Sequence, residues 1–348
     1  MDTPIKLTKD ILLELAEVED MASLSAEAMR DFFREEIPKL PHLPSSKVVH
    51  DPRNQLPIFY SPGRQNRPFI AKEDRSCPIC EGNLTGIIDL CHLSGEEYAF
   101  INKNLYPISV PQGIAHEKNN NWGLHFLLWP SNIHERRFEN MEINIAHKVL
   151  SRVILLEKIL LNSSLLDKGY FAFIRNEGQS VGGSVYHDHF QMLYSNQEPL
   201  SFREDRNFYE KHGVGPTQIL HEEISTELIV LSQGEWQLVV PPYIKRPYEL
   251  MIYTPNRSNV HLNSLSETSV RDLTFLLQKS FQLQTSLFKH LGKDKAYNLI
   301  CHNSGYGSIY FELFPMVQPL GGFERLGLYL SQGDPIEGAE LYRQLLFS

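Results

Sequence analysis

The sequence predicts an α+β protein built from two similar units, each a mostly antiparallel sheet with one helix packed on it. Three observations support this fold class. Strand-like and helix-like segments follow one another as strand, strand, helix, strand, strand, and this order occurs twice. Each of the two long helical segments carries a single apolar stripe. Leu124–Pro130 of the first unit also resembles Tyr248–Pro255 of the second, which indicates an internal duplication.

The chain begins with a helical extension, because residues 5–40 have the pattern of two amphipathic helices and carry no chemical motif. We assign the extension to residues 1–45, the first unit to 46–200 and the second unit to 201–348. In the first unit the helix is predicted at 141–162, with an apolar stripe of Ile145, Val149, Leu156 and Leu160. Its strands are predicted at 97–109, 122–130, 169–175 and 185–194.

The second unit repeats this order after a polar segment near 196–234. Its helix is predicted from Glu267 to Leu291, with a capping box formed by Ser264 and Glu267 and a stop at Gly292. The apolar stripe of that helix consists of Val270, Leu273, Leu277 and Phe281. The strands are predicted at 235–242, 247–254, 297–302 and 309–316.

The composition is that of an ordinary globular protein with enough apolar residues for a packed core. A formal net charge of −9 and an isoelectric point near 5.9 argue against a general nucleic-acid binder, because neutralising phosphates takes a basic surface. Met1–Lys9 lack the pattern of a signal peptide, and Glu157 and Lys158 interrupt the longest apolar run. We therefore expect a cytoplasmic protein that binds neither nucleic acid nor membrane.

Two of the four cysteines occur in Cys77-Pro78-Ile79-Cys80, a spacing that suits two thiolates on one Zn²⁺ ion. Redox pairs of the same spacing usually open a helix after a strand. Here Glu81-Gly82-Asn83 predicts a turn instead, which favours zinc. Cys91-His92 is a competing source of the remaining ligands.

The segment Ser184–Gln191 carries the strongest chemical pattern, His187-Asp188-His189-Phe190-Gln191. In a strand, positions i, i+2 and i+4 share a face, so both imidazoles and the amide would point the same way. One imidazole can bind a metal while the other attacks an electrophile, and the amide can stabilise developing negative charge. This division suits phosphoryl or nucleotidyl transfer. The alternative is a polar strand with two hydrogen-bonded core histidines.

These motifs, in this order and spacing, resemble the galactose-1-phosphate uridylyltransferase family of the histidine-triad superfamily, and the resemblance runs from about Asp51 to Leu346. It implies two fused histidine-triad-like units and nucleotidyl transfer through a covalent histidine. Besides the cysteine pair and the His-x-His-x-Gln segment, the matching segments are Ser61-Pro62-Gly63-Arg64-Gln65-Asn66-Arg67-Pro68, Phe100-Ile101-Asn102, Arg175-Asn176-Glu177-Gly178 and Ser184.

The resemblance assigns roles that the chemistry can justify. His189 would be the nucleophile, since neutral imidazole has a lone pair near pH 7, and Gln191 would donate to a phosphoryl oxygen. The substrate-binding residues would be Arg64, Arg67, Asn102, Asn176 and Ser184. A structural zinc ion would be held by Cys77, Cys80, His134 and His187. Four protein ligands leave no open coordination position, so this ion would brace the chain rather than activate water.

The sequence also departs from the family pattern. The third zinc ligand usually lies two residues after a proline, whereas His134 lies four residues after Pro130, so His125 is an alternative ligand. Asp188 and Phe190 stand where the family usually has Pro and Gly. In the second half Tyr310-Phe311-Glu312 replaces a His-x-His of the family's bacterial type, and His302 and Glu204 are the matches that remain, which argues against a second metal.

We expect a ping-pong UDP-glucose:hexose-1-phosphate uridylyltransferase, in which a sugar 1-phosphate collects the nucleotidyl group from His189. Gly322–Tyr329 looks closer to the branch of the family that phosphorolyses nucleoside diphosphate sugars. The alternative is therefore a phosphorylase of an ADP-glucose-like sugar or of a dinucleoside polyphosphate, with phosphate as acceptor. The non-enzymatic alternative is a zinc-stabilised nucleotide-binding protein. The resemblance further implies a homodimer.

Overall fold

The computed structural model describes residues 6–40, 47–66, 77–111, 121–163 and 169–347. The chain divides into two compact units, Met1–Phe173 with Ser184–Arg203, and Ile174–Gly183 with Glu204–Ser348. Each contains antiparallel strands and a long helix, so the predicted α+β class is confirmed. The proposed duplication and the predicted domain boundaries stay predictions.

The first unit opens with the two predicted helices, α1 (Lys9–Leu15) and α2 (Ala26–Glu36). The side chains of Thr8 and Ser25 cap them by accepting hydrogen bonds from backbone N–H groups of the first turn. Leu12 of α1 is fully buried. The extension is therefore part of the packed first unit.

A small hairpin of β1 (Val48–His50) and β2 (Pro57–Phe59) precedes the main sheet of this unit. Helix α3 (Ile143–Leu161) follows the third strand of that sheet and buries Val149, Leu156 and Leu160, while Ile145 is partly buried. The strands of the sheet are β3 (Ile87–Ser94), β4 (Glu97–Lys103), β5 (Gly123–Trp129), β6 (Tyr170–Glu177) and β7 (Phe190–Ser195), in the order β3-β4-β5-β7-β6.

Strand β7 is shorter than predicted, and the prediction that one strand carries both histidines is wrong. The ladder between β5 and β7 begins at the pair Leu128 and Phe190. Continuing it would place Asp188 opposite Pro130, which has no N–H to donate to a ladder. His187 and His189 therefore precede the strand, and their backbone follows contacts other than sheet pairing.

In the second unit, five further strands follow β6 in the order β6-β11-β12-β10-β9-β8. The elements are α4 (Leu200–His212), α5 (Pro216–Glu223), β8 (Ile229–Gln233), β9 (Trp236–Val239), β10 (Leu250–Tyr253), α6 (Glu267–His290), β11 (Tyr297–His302), β12 (Tyr310–Pro315), α7 (Gly322–Arg325) and α8 (Pro335–Leu345). Within the described residues, no helix combines the length and the apolar character that crossing a bilayer requires.

Helix α6 confirms the predicted stripe, because all four of its residues are buried. It begins at Glu267 as predicted, but its cap differs from the prediction. Ser266 caps the helix by accepting from the N–H of Ser269. Ser264 is unavailable for that role, since its hydroxyl accepts from the N–H of His261 and donates to the carbonyl of the same residue. A local turn thus competes with the predicted capping box.

Candidate active site and metal centre

Four donor side chains from three segments of the first unit meet in one cluster, Cys77, Cys80, His134 and His187, whose ligand atoms all lie within 4.8 Å of one another. The Sγ–Nδ1 distances are 3.8 Å for Cys77–His187, 3.5 Å for Cys80–His187 and 3.7 Å for Cys80–His134. With bonds of about 2.3 Å to sulfur and about 2.0 Å to nitrogen, the S–N edge of a regular tetrahedron is about 3.5 Å. The cluster therefore has the donors and the spacing of a closed metal site.

The cysteines reach this geometry through a tight turn. The N–H of Glu81 donates to the carbonyl of Cys77 at 3.0 Å, and the N–H of Gly82 donates to that of Ile79 at 3.1 Å, so the predicted turn forms. Gly82 has a φ of 80°, and a Cβ there would lie 3.3 Å from Ile11 of α1. Glycine thus serves both the left-handed backbone and the close approach of the extension.

The histidine donors are oriented by their surroundings. The Nε2–H of His187 donates to the carbonyl of Ser131 at 2.8 Å, which leaves Nδ1 to face the sulfurs, as is usual for metal-bound histidines. The hydrogen bond from the Cys80 thiol holds the pKa of Cys77 well below its usual range, and the same contact raises the pKa of Cys80. A hydrogen bond with Cys77 raises the pKa of His134. The cluster thus favours a thiolate, the form that binds metals.

The competing ligands lie elsewhere in the first unit. His125 is in β5, with its Nε2 3.2 Å from the side-chain amide of Asn104. Cys91 and His92 are in β3, and the Nε2 of His92 lies 2.9 Å from the carbonyl of Gly95. None of the three belongs to the four-donor group. The structure thus favours His134 over His125 as third ligand.

The second histidine of the motif, His189, lines a cavity and does not belong to the four-donor cluster. His189 lines a cavity of about 430 Å³ in the first unit and is 7% exposed. Its Nδ1–H donates to the carbonyl of His187 at 2.9 Å, which assigns the lone pair to Nε2. Gln191, two residues further along, lines the same cavity. The cavity therefore places an imidazole nitrogen and a neutral donor side by side.

The cavity wall is mostly apolar with a few polar groups, as is typical of sites for small ligands. Its polar residues besides His189 and Gln191 are Asn83, Asn102, Asn104, Tyr106 and Ser184, and its apolar residues include Ile79, Leu84, Leu127, Trp129 and Val185. Ser184, predicted to bind substrate, is thus in this wall. Arg64 donates from Nη1 to the carbonyl of Tyr106 and so contacts a residue of the cavity wall.

The sequence did not indicate Trp129 or Asn104 as site residues. The ring centroid of Trp129 lies 5.0 Å from that of His189, and its Nε1–H donates to Oδ1 of Asn102 at 2.8 Å. The amide of Asn102 in turn donates to Thr85 at 3.0 Å and to the carbonyl of Lys103 at 2.8 Å. Asn102 thus positions Trp129 in this structure. For Asn104 the sequence did offer a signal, because it lies two residues after Asn102 and positions i and i+2 of an extended chain share a face.

Arg67 and Asn176 are the other two predicted substrate residues. Arg67 lies outside the described residues. Asn176 lies in the part of β6 that belongs to the second unit, where its Oδ1 accepts from the side chain of Asn298 at 2.7 Å. Both assignments stay predictions.

The second unit carries the remaining matches to a metal motif. The Nε2 of His302 lies 2.7 Å from a carboxylate oxygen of Glu312, and its ring stacks on Tyr310 at 4.2 Å between centroids. Tyr310 donates its hydroxyl to Asp205 at 2.8 Å. Glu204 is exposed. His302 thus contacts a carboxylate and an aromatic ring, and the expectation about a second metal stays a prediction.

No family model matches the chain. A curated protein, ADP-glucose phosphorylase of Arabidopsis thaliana, is 23% identical over 338 residues, which cover 86% of this chain and 93% of the relative. A solved structure of a uridylyltransferase matches with a TM-score of 0.69 at 22% identity, over 86% of this chain and 98% of its own. The crystal structure of an ADP-glucose phosphorylase from Arabidopsis thaliana with bound ADP-glucose matches with a TM-score of 0.63 at 20% identity, over 86% and 98%.

These matches extend along most of each chain, so they concern the whole two-unit architecture and not a single motif. The motifs and the fold point to the same proteins. The chain has the fold of these uridylyltransferase and ADP-glucose phosphorylase structures, which confirms the resemblance that its motifs indicated.

Proposed function

We propose that this protein is a nucleotidyltransferase that works through a covalent nucleotidyl group on His189. The observation that carries the proposal is the geometry of that side chain. Its Nδ1–H is held by the carbonyl of His187, so Nε2 carries the lone pair, and the ring lies in the wall of a cavity of about 430 Å³ beside Gln191. An oriented neutral imidazole next to an amide donor suits attack on a phosphoryl group.

The reaction would proceed in two displacements. Nε2 attacks the α-phosphorus of a nucleoside diphosphate sugar, an N–P bond forms, and the P–O bond to the sugar 1-phosphate breaks. The proton on Nδ1 stays there, so the modified ring carries a positive charge next to the His187 carbonyl and the Trp129 ring. An acceptor oxygen then attacks the same phosphorus and displaces Nε2. Gln191 would donate to the phosphoryl oxygens, which gain charge in both steps.

The four-donor cluster would hold Zn²⁺, since two thiols and two imidazoles at tetrahedral spacing are a typical structural zinc site. The ion would join the Cys77–Cys80 turn to the segment before β7 and so brace the site. It would take no part in the displacements, because the four protein ligands fill its coordination shell.

For the substrates we propose UDP-glucose as donor and a hexose 1-phosphate as acceptor, in line with the match to a uridylyltransferase structure. The second candidate is phosphorolysis of an ADP-glucose-like sugar, with phosphate as acceptor. It is favoured by the similarity to a curated ADP-glucose phosphorylase along 86% of the chain. We also propose that the active protein is a homodimer in the cytoplasm.

The test is to load the protein with labelled nucleotide. UDP-glucose and ADP-glucose, each labelled in the α-phosphate, are incubated with the wild type and with His189→Ala, and acid-labile, base-stable label on the protein is counted. We expect label on the wild type alone, because a phosphoramidate needs the imidazole. Equal labelling of the His189→Ala variant would contradict the mechanism.

The loaded protein then separates the two acceptors. After removal of the donor, galactose 1-phosphate or inorganic phosphate is added, and release of label is followed. Discharge by the sugar phosphate supports uridylyl transfer, while discharge by phosphate alone supports phosphorolysis. Failure to load from UDP-glucose with loading from ADP-glucose would overturn the proposed donor but not the mechanism.

A further inference from the structure

The residue between the two histidines is a buried acid, Asp188, whose side chain is fully shielded from solvent. Its Oδ2 accepts from the backbone N–H of Phe138 at 2.8 Å. Its Oδ1 lies 4.0 Å from Nη1 of Arg137, whose own side chain is only 11% exposed. A buried carboxylate that accepts from a backbone N–H and faces a guanidinium is costly to build, because both charged groups are taken out of water.

Two further contacts join the same segments. The Nη1–H of Arg137 donates to the carbonyl of Tyr186 at 3.2 Å, and its guanidinium lies 5.1 Å from the centroid of the Tyr186 ring. The Nε2–H of His187 donates to the carbonyl of Ser131 at 2.8 Å. Residues 186, 187 and 188 are therefore each held by the loop at 131–138, and we call this set of contacts the 131–138 clamp.

The clamp acts on the backbone that orients the nucleophile. The Nδ1–H of His189 donates to the carbonyl of His187, so the direction of the imidazole depends on where that carbonyl points. No sheet ladder fixes this carbonyl, because β7 begins only at Phe190. Its position is set by the contacts of His187 on one side and of Asp188 on the other.

We propose that Asp188, together with Arg137, is a positioning residue for His189, and this rests on the proposed function. Asp188 holds the peptide between the histidines through Phe138, and Arg137 balances its charge. Reactions that depend on a near-attack geometry lose about 100-fold in rate for a misplacement of about 1 Å. A variant that loosens the clamp should therefore slow the attack of His189 more than it weakens binding of the donor.

The test compares Asp188→Asn with the matched variant Asp89→Asn. Asp89 is as buried as Asp188, accepts from the backbone N–H of Met21 at 3.2 Å and pairs with Arg152 at 2.7 Å, and lies in β3 of the same unit. For Asp188→Asn we expect single-turnover loading to slow by at least about tenfold, with the KM for the donor within about threefold. Zinc content should not change. Asp89→Asn should load at the wild-type rate despite a similar loss of thermal stability.

Arg137→Gln tests the other half of the pair. It should reproduce the slow loading, and the double variant should be no slower than Asp188→Asn alone, because the two side chains act as one unit. Loading of Asp188→Asn as fast as that of Asp89→Asn would overturn the proposal. Loss of zinc in parallel with activity would also overturn it, since the acid would then act through the metal site.

A readout without nucleotide separates this inference from the proposed function. Carbethoxylation of His189 by diethyl pyrocarbonate, followed by peptide mass spectrometry, reports how the imidazole is held. We expect its rate to change by at least about threefold in Asp188→Asn and to be unchanged in Asp89→Asn. Failure of the wild type to load nucleotide would count against the proposed function. An unchanged carbethoxylation rate in Asp188→Asn would count against the clamp.

Discussion

Trp129 links the metal cluster to the proposed nucleophile through one side chain. Its ring centroid lies 5.4 Å from that of His187 and 5.0 Å from that of His189. Its Nε1–H donates to Asn102, and the whole residue is buried. An aromatic face next to an imidazole that becomes positively charged stabilises that charge. We infer that Trp129 both packs the site and supports the covalent state of His189.

We predict that Trp129→Phe lowers stability by about 1–3 kcal/mol, because Oδ1 of Asn102 loses a buried donor. It should also slow nucleotide loading by about tenfold, since the smaller ring no longer reaches both imidazoles. Urea unfolding and single-turnover loading measure the two effects. The control is Phe100→Leu, as Phe100 stacks on Trp129 at 6.1 Å without lining the cavity. A slow Phe100→Leu variant with a fast Trp129→Phe variant would contradict this role.

At the scale of elements, the N-terminal helix α1 belongs to the site region. Leu12 joins a buried cluster that contains Cys77, Ile79 and Trp129. Lys103 at the end of β4 adds an ionic contact, because its ammonium lies 2.7 Å from Glu17 and 2.6 Å from Glu36. The extension therefore supports the cysteine turn and the strand that carries Asn102.

We predict that Leu12→Ala destabilises the protein by about 2–5 kcal/mol, because it leaves a cavity in this cluster. Leu13→Ala in the same helix should change stability by no more than about 0.5 kcal/mol, since Leu13 is 39% exposed. Denaturant midpoints of the two variants and the wild type provide the comparison. A Leu12→Ala midpoint equal to that of the wild type would contradict the proposed contribution of α1 to stability.

The turn that contains Cys77 and Cys80 lies between β2 and β3, and it leads to a prediction about metal binding. We expect Cys77→Ser to lose bound zinc and to unfold at a lower temperature, because metal binding at a closed site is coupled to folding. Cys91→Ser should keep its zinc, as Cys91 lies in β3 outside the four-donor group. Metal analysis of the purified variants and thermal melts with and without a chelator measure this. A Cys77→Ser protein with a full complement of zinc would refute the ligand assignment.

For the whole molecule, the surface of the second unit offers an apolar strip at residues 320–330. Its large apolar side chains are each at least 42% exposed, and Leu326 reaches 78%. The strip consists of Leu320, Phe323, Leu326, Leu328, Tyr329 and Leu330. A concentration of exposed apolar side chains in one segment is typical of interaction sites, which agrees with the proposed homodimer.

We predict that the wild type sediments as a dimer at micromolar concentration and that the double variant Leu326→Glu/Leu328→Glu sediments as a monomer, because charges in an apolar contact are not solvated. The control is Phe347→Glu, since Phe347 is 92% exposed and lies outside the strip. A wild type that is fully active as a monomer would refute the homodimer. A dimeric double variant would place the interface elsewhere.

The sequence by itself determined the parts of this protein that depend on near neighbours. The apolar stripe of α6 is buried at all four predicted positions, because a period of 3.6 residues is a property of the helix alone. The turn after Cys77 forms where its glycine predicts it. The motifs also predicted the fold through their resemblance to a known family, because each motif consists of residues close together in the sequence.

Tertiary structure decided everything that depends on which distant segments meet. His125 and His134 were both candidate ligands, and only the path of the chain after β5 brings His134 to the cysteines. Asp188 meets Phe138 across fifty positions of sequence, and this contact, not a strand, holds the backbone before His189. These contacts depend on the register between β5 and β7 and on Pro130, at which their ladder stops. Neither can be read from a pattern of neighbouring residues.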